Sequence, residues 1–312
     1  LINHKDMTMP GAFAHITAVN IATQTKSLAK MDMPKKAKLI LSQRQAYLEL
    51  GCVAPDYPYL AVAQPSQNAW ADLMHYEHTG DLLKAMIEYC KTLEGEAFEK
   101  CFAWLCGYMA HVAADITVHP VVELKVGPYA QNQTAHRTCE MNQDAFIWQR
   151  LNLGELGYAD RVQQNIGSCT NKDDNFDTDI AKIWQHALLT VHPSYAAQHA
   201  PNFNSWHNGF QLVVNNVEES YRLFACARHV AADLGLFYPR PNEVDPTFIE
   251  HLKTPHEPMH YNDIFDFAVS NIQHYITIIA NAVFLDTDYS AIKNWNLDTG
   301  YDEHNRMTVW SK

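Results

Sequence analysis

The sequence is poor in turn-forming residues and in local catalytic motifs. Of 312 residues, only 12 are glycine and 14 are proline, which is too few for the many tight turns of an all-β chain and favours long helices. G-x-S-x-G, G-x-G-x-x-G and G-x4-G-K-S/T do not occur, so the local signals of an α/β-hydrolase, a dinucleotide-binding fold and a P-loop NTPase are absent. The chemistry of this chain must therefore be sought in other residues.

Basic residues are also scarce. The 23 lysines and arginines are outnumbered by 35 aspartates and glutamates, which gives a formal net charge of −12. Nucleic-acid binders and proteins that bind anionic lipid surfaces use an excess of basic residues for Coulombic reasons. Nucleic acid is therefore a disfavoured partner, and neutral, zwitterionic or cationic ligands are favoured.

The cysteines do not form a disulfide pattern. There are seven of them, an odd number, and no C-x-x-C occurs. Together with the absence of a secretory signal at the start of the sequence, this predicts a reducing, cytoplasmic setting. Secretion is the alternative if a signal peptide has been removed.

One apolar run has the length of a short membrane span. Residues 101–118 are almost wholly apolar but include His111 and Asp115. Two ionisable groups in a lipid-facing helix would cost several kcal/mol. The sequence therefore predicts a buried helix with functional polar residues, and no transmembrane segment.

Periodic apolar positions indicate an all-α, multi-helix single domain over residues 9–285. The predicted helices are 11–25, 35–50, 79–92, 96–118, 134–152, 178–190, 205–235 and 260–285. Predicted breaks, each marked by Pro, Gly, Asn or Asp, are 54–58, 64–68, 120–133, 167–176 and 237–246. The polar stretch 286–312 shows no clear pattern, and we predict no structure for it.

Histidine is abundant, with 17 residues, and several stand at helical spacing from carboxylates. His111, Asp115 and His119 are four residues apart on an apolar helix that Pro120 is expected to end. His136 and Glu140 repeat the four-residue step. An isolated pair of this kind is usually a surface or core contact, but two pairs on apolar helices favour a zinc site with imidazole and carboxylate ligands.

Three further residues are candidates in the first quarter of the chain. His15 stands among apolar neighbours, and Asp56 lies in a proline-flanked loop that would hold it rigidly as a base or ligand. Of His75 and His78, we favour His75 because apolar residues surround it, whereas His78 precedes Thr79 and Gly80.

In this order, the residues resemble the bacterial zinc-dependent phospholipase C family, which shares a helical fold with single-strand-specific nucleases. The resemblance covers roughly residues 11–160. It rests on the early histidine, the PDYPY loop, the MHY motif, the H-x3-D-x3-H-P motif and the H-x3-E motif, which contain His15, Asp56, His75, His111, Asp115, His119, His136 and Glu140.

The resemblance implies an assignment of these residues to metal ions. Asp56, His75, His111 and Asp115 would hold one zinc, and His119, His136 and Glu140 a second. His15 with Asp115 would help to hold a third. In family members the mature chain begins with a tryptophan that binds the third zinc, and no tryptophan precedes Trp70 here, so two zinc ions are expected and a third is left open.

The resemblance also implies two catalytic roles. Asp56 would double as the general base, and Tyr57 beside it corresponds to an aromatic that family members use near the substrate head group.

Two other histidine motifs are not expected to carry chemistry. His256, Glu257 and His260 spell the H-E-x-x-H of zinc proteases, but Pro258 inside the motif disrupts the helix that it needs. Residues 229–233 repeat the HVAAD of residues 111–115, but Phe237 stands where the next ligand would be.

These observations predict a zinc-dependent phosphodiester hydrolase that acts on a zwitterionic phospholipid or a head-group ester. A nuclease or nucleotidase of the same fold is the first alternative. The second is a non-catalytic protein whose zinc holds helices together, although such sites favour cysteine and a closed set of four ligands.

Overall fold

The computed structural model describes residues 11–61, 64–152, 160–221 and 238–311, and within these ranges the protein is all-α, as predicted. The helices are α1 (Ala12–Ala22), α2 (Thr25–Lys30), α3 (Lys35–Gln43), α4 (Gln45–Gly51), α5 (Pro65–Tyr76), α6 (Thr79–Lys91), α7 (Gly95–Val126), α8 (Tyr129–Ile147), α9 (Asp160–Gly167), α10 (Thr178–Val191), α11 (Pro193–Ala196), α12 (Phe203–Tyr221) and α13 (Tyr261–Leu285). Short 3₁₀ helices span Ala54–Leu60, Trp148–Leu151 and Pro246–Phe248. Isolated β-bridges occur in the described ranges, but no strand does.

Helix α7 is the centre of the fold. Every residue from Cys101 to Thr117 is buried, and α4 and α13 pack against the helix. Two glycines allow α4 and α7 to touch: a Cβ at Gly51 would lie 2.1 Å from the carbonyl oxygen of Trp104, and one at Gly107 would lie 2.1 Å from that of Leu48. Only glycine permits this backbone-to-backbone approach, because it has no Cβ.

Two helices of the described chain are long and apolar enough to cross a bilayer. They are α7, which is almost entirely buried inside the protein, and α13, half of whose apolar stretch is buried. A buried core helix passes the same test of length and composition, so this finding is weak evidence for a membrane span.

The predicted end of α7 at Pro120 is wrong, because the helix continues to Val126. Proline has no N–H for the carbonyl of Ile116, one turn earlier. Gly300, with φ +70°, lies over that carbonyl so closely that a Cβ would stand 2.8 Å from its oxygen. The turn that lacks this hydrogen bond therefore packs against Gly300, and the helix continues past Pro120.

Other boundaries also differ from the prediction. The predicted helix 35–50 is divided at Arg44 into α3 and α4. The predicted break at 64–68 is instead the start of α5, with Pro65 in the first turn, where a missing N–H costs nothing. The loop at 54–58 is a 3₁₀ helix. Of the predicted helix 205–235, residues up to Tyr221 are helical, and the following residues to 237 lie outside the described ranges.

The segment 286–311, which we name the C-terminal segment, has little helix but a definite place. Ile292, Trp295 and Leu297 are fully buried, and the Thr79 hydroxyl donates to the Trp295 carbonyl at 2.8 Å. The Trp310 indole N–H donates to the carbonyl of Thr117 on α7 at 3.1 Å. The segment thus covers one side of α6 and α7.

The described cysteines form no disulfide, and each is buried as a free thiol. The seventh cysteine, Cys226, lies outside the described residues.

Candidate metal centre

One face of α7 carries three of the predicted ligands. The Nε2 atom of His111 lies 2.9 Å from Oδ2 of Asp115, and the Nε2 atom of His119 lies 3.4 Å from Oδ1 of the same carboxylate. Residues four apart on a helix lie one above the other, so the carboxylate stands between the two imidazoles, as the spacing predicted.

Helix α1 brings His15 to the same carboxylate. Its Nε2 atom is 3.2 Å from Oδ1 of Asp115, and its ring stacks on that of His111 with a centroid distance of 4.1 Å. Asp115 therefore lies against His15 as well as His111 and His119, and its side chain is 1% exposed.

The start of α1 is held by Asp144 of α8. The carboxylate of Asp144 accepts the backbone N–H of Gly11 at 3.0 Å and that of Ala14 at 2.6 Å. These are first-turn donors that a helix leaves unsatisfied. Asp144 thereby fixes α1, and with it His15, against the helix that carries two other candidate ligands.

Asp56 and His75 form a further contact close to Asp115. The Nε2 atom of His75 is 3.2 Å from Oδ1 of Asp56 and 3.9 Å from Oδ2 of Asp115. Asp56 is placed by the 3₁₀ helix and His75 by the last turn of α5. Residues far apart in sequence are thus brought to one point.

Helix α8 supplies the remaining pair. Oε1 of Glu140 is 3.5 Å from Nε2 of His136 and 3.1 Å from Nε2 of His119. The four-residue step on α8 therefore faces the last ligand position of α7, as predicted.

Two of the histidines are oriented by backbone carbonyls. The Nδ1–H of His75 donates to the carbonyl of Ala71 at 2.8 Å, and that of His111 donates to the carbonyl of Cys52 at 3.0 Å. A carbonyl can only accept, so in each neutral ring the proton stays on Nδ1 and the Nε2 lone pair faces the carboxylates. This is how imidazole ligands of metals are usually held.

The arrangement fits metal ions. Three groups of residues each offer one ligand atom per residue, and within a group these atoms lie within 4.8 Å of one another: His15, His111 and Asp115; Asp56, His75 and His111; and His119, His136 and Glu140. The first two groups share His111. Nε2 of His111 and Oδ2 of Asp115 are buried without any hydrogen-bond partner although they are close. Buried polar atoms are rarely left unsatisfied, and a cation between them would satisfy both.

The pKa values of the buried groups also favour a cation at this site. Burial alone would raise the pKa of Asp115, but the facing imidazoles, His111 first, hold it well below its usual range. Burial likewise opposes ionisation of Glu140, and His136 and His119 lower the pKa of its carboxyl. For His75, burial lowers the pKa, but Asp56 raises it to about 9. The carboxylates of Asp115 and Glu140 are therefore held in the anionic form, which favours binding of a cation.

The candidate ligands line an open cavity of about 190 Å³. That volume is enough for several water molecules or a small polar group. The other lining residues are Tyr59, Leu60, Asn68, Tyr76, Tyr129, Gln133, Arg137 and Asp298. All eight predicted metal ligands reach the cavity.

Tyr57 does not reach it. Its ring is fully buried between Phe210 and Trp184, and its hydroxyl faces His207 at 3.4 Å. Tyr59 lines the cavity instead, with ring centroid 5.9 Å from that of His75. Side chains three apart share a face of a 3₁₀ helix, so Tyr59, and not Tyr57, accompanies Asp56. Predicting the 3₁₀ helix would have identified Tyr59.

The residues set aside in the sequence also have clear positions. His78 is exposed and bonds to Asp81, away from the cavity, whereas His75 is buried in it. His256 and Glu257 are exposed in a loop, and His260 begins α13 by accepting the N–H of Asn262, so the H-E-x-x-H motif forms no zincin helix. The second HVAAD sequence lies outside the described residues.

Sequence comparison places the site within a known family model. The model described as zinc dependent phospholipase C matches residues 14–202, which include every candidate ligand and exclude α12, α13 and the C-terminal segment. No curated protein and no solved structure matches the chain.

Proposed function

The chain belongs to the zinc-dependent phospholipase C family, and we propose that it hydrolyses a phospholipid-type phosphodiester. The observation that carries the proposal is the open cavity whose wall contains three groups of histidines and carboxylates. Structural zinc sites favour cysteine ligands and are closed, whereas these ligands are histidines and carboxylates on the wall of an open cavity that can admit a substrate.

The geometry supports two zinc ions. His111 belongs to two of the three groups, but its Nδ1–H is donated to the Cys52 carbonyl, so only Nε2 can bind an ion. We assign Asp56, His75, His111 and Asp115 to the first ion, and His119, His136 and Glu140 to the second. A third ion would have only His15 and Asp115.

Zinc bound here would supply Lewis-acid stabilisation of the phosphoryl oxygens and would lower the pKa of a bound water. The residues of the chain provide position and proton transfer. Asp56 lies at the cavity surface and accepts a proton from the attacking water, which requires hydrogen-bond distance in the substrate complex. Arg137, at the same cavity, is placed to bind a phosphoryl oxygen.

The head group is proposed to be zwitterionic. Three tyrosines (Tyr59, Tyr76 and Tyr129) and the carboxylate of Asp298 line the cavity. Aromatic faces and a carboxylate attract a quaternary ammonium. The net charge of −12 adds an unfavourable field for polyanions.

A panel of substrates tests the proposal. The zinc-loaded protein is given short-chain phosphatidylcholine, a generic phosphodiester without a choline group, and single-stranded DNA, each with and without a chelator. We expect release of phosphocholine, abolished by the chelator and faster than cleavage of the other two substrates. Faster cleavage of DNA under the same conditions would make the nuclease the better assignment, and zinc binding without any hydrolysis would favour the structural role.

A further inference from the structure

A tight loop of the C-terminal segment places Asp298 at the cavity. The Asn296 side chain accepts the backbone N–H groups of Asp298 at 3.1 Å and Thr299 at 3.0 Å, and the N–H of Gly300 bonds to the Asn296 carbonyl at 2.9 Å. This compact turn holds residue 298 at its tip. The side chain of Asp298 is 14% exposed, so it is largely enclosed by the cavity wall.

The loop is attached to the helices that carry the ligands. The N–H of Leu297 donates to the carbonyl of His75 at 3.0 Å, and Gly300 lies against the carbonyl of Ile116 on α7. The Tyr76 hydroxyl also lies near the carboxylate of Asp298. These contacts fix the position of Asp298 relative to α5 and α7.

His119 is the ligand that this carboxylate faces. Nε2 of His119 points to Asp115 and Glu140, while its Nδ1 atom is buried with no hydrogen-bond partner. Oδ1 of Asp298 lies 3.7 Å from that Nδ1 atom. In the described structure, His75 and His111 each have a backbone carbonyl in the corresponding place, and His119 has Asp298.

We propose that Asp298 is a positioning residue of the second metal ion: it accepts the Nδ1–H of His119 and so keeps the Nε2 lone pair directed at the ion. A shift of about 0.5–1 Å brings the 3.7 Å distance to hydrogen-bond length. A direct ligand role is less consistent with the structure, because Asp298 is in none of the groups whose ligand atoms lie within 4.8 Å of one another. The inference rests on the proposed metal centre.

The test is zinc affinity, measured by competition with a chromophoric chelator on the full chain. Asp298→Asn and Asp298→Ala should bind the second zinc about 10- to 100-fold more weakly, which is the usual cost of losing an outer partner of a ligating histidine. The amide retains a weaker acceptor, so the asparagine variant should lose less than the alanine variant. The ¹⁵N signal of the His119 Nδ1–H should move in both.

Asp302→Asn is the matched control. Asp302 is in the same segment, but its carboxylate bonds to His304 and Arg306 and not to the cavity. We expect its zinc affinities to equal those of the unchanged protein. Equal loss of both ions in all variants, with a fall in the melting temperature of the metal-free protein, would show a structural role and overturn the inference.

Unchanged affinity in both Asp298 variants would also overturn it. That outcome is distinguishable from failure of the proposed function, in which the unaltered protein itself would bind no zinc.

Discussion

His136 and Glu140, one turn apart on α8, are two of the three ligands assigned to the second zinc ion. Replacement of His136 by alanine should empty this centre, because two remaining ligands hold zinc weakly. We expect His136→Ala to lose one zinc per chain and nearly all hydrolysis, as measured by metal analysis and by turnover.

His78→Ala is the control for that variant. The side chain of His78 is 59% exposed and bonds to Asp81, so zinc content and rate should stay nearly unchanged. A purified, unchelated protein that carries no zinc and cannot be loaded with it would contradict the metal centre as a whole.

Asp56 is the candidate base, and replacing its carboxylate with the amide of asparagine tests that role. Asp56→Asn preserves the shape of the side chain but cannot accept a proton. We expect kcat to fall about 100-fold or more while the fold and part of the metal are retained. Metal analysis of the same sample separates loss of the base from loss of the ion. An unchanged rate would move the base to another carboxylate, with Asp115 or Glu140 next.

Tyr59 replaces Tyr57 as the aromatic residue to test. Tyr59→Ala should raise KM for a choline substrate about 2- to 30-fold, which is the loss of a cation–π contact of about 0.5 to 2 kcal/mol. A substrate with an uncharged head group should be affected less. Tyr59→Phe keeps the ring and loses only the hydrogen bond to Asp72. Equal effects on both substrates would contradict the contact.

The proximity of most candidate ligands was predictable from the sequence because they follow a helical period. His111, Asp115, His119, His136 and Glu140 needed only the four-residue step. His15, Asp56 and His75 were chosen for their local surroundings, and the family resemblance grouped all eight into metal sites. Tyr57 was chosen for its place beside Asp56, but neighbouring residues point in different directions. The direction in which each side chain points depends on whether the backbone forms a 3₁₀ helix. The two prolines of this segment are compatible with that helix but do not require it.

At the scale of the elements, the contact between α4 and α7 tolerates no side chain at the two glycines where the backbones touch. A Cβ at Gly107 would meet the Leu48 carbonyl at 2.1 Å, so the helices must separate. We expect Gly107→Ala to lower the free energy of unfolding by on the order of 3 kcal/mol, measured by urea denaturation.

Gly167→Ala is the matched control in α9. The nearest atom to its added Cβ would be Nε2 of Gln211, at 3.9 Å, an ordinary contact. The change should be neutral or slightly stabilising, since alanine favours helix. Similar losses in both variants would show that the close approach of the helices is not the cause.

Helix existence was predicted better than helix boundaries. Thr79–Lys91, Thr178–Val191 and Tyr261–Leu285 match their predicted ranges closely because their apolar positions recur regularly. Pro120 and Pro65 misled in opposite ways. Pro120 stands inside α7, where Gly300 packs over the interrupted turn, and Pro65 stands at the start of α5. The residues beside each proline do not show which of these contexts applies.

At the scale of the whole molecule, the candidate ligands join distant parts of the chain. They come from α1, the 3₁₀ helix Ala54–Leu60, α5, α7 and α8, so bound zinc would cross-link much of the fold. A ligand at 1,000 times its dissociation constant stabilises the native state by about 4 kcal/mol. We expect chelation to lower the melting temperature by several degrees.

The chelator effect has its own control. In His136→Ala, where one centre is lost, the chelator should shift the melting temperature less than in the unchanged protein. A melting temperature that does not respond to chelator in either protein would contradict metal binding at the cavity.

The C-terminal segment was not predictable, since its residues have no period. Its place depends on single contacts, such as the Trp310 indole on the Thr117 carbonyl, that only the assembled helices create. Asp298 was missed for the same reason: an isolated aspartate in a polar stretch carries no local signal.

The position of this segment has a consequence for biosynthesis. Ribosomes release a chain from its amino end, and domains begin to fold as they emerge. All eight candidate ligands lie before residue 141, whereas the loop that carries Asp298 follows α13. A nascent chain thus exposes its ligands to cellular zinc well before translation reaches the loop that borders the cavity, so metal loading can precede completion of the wall.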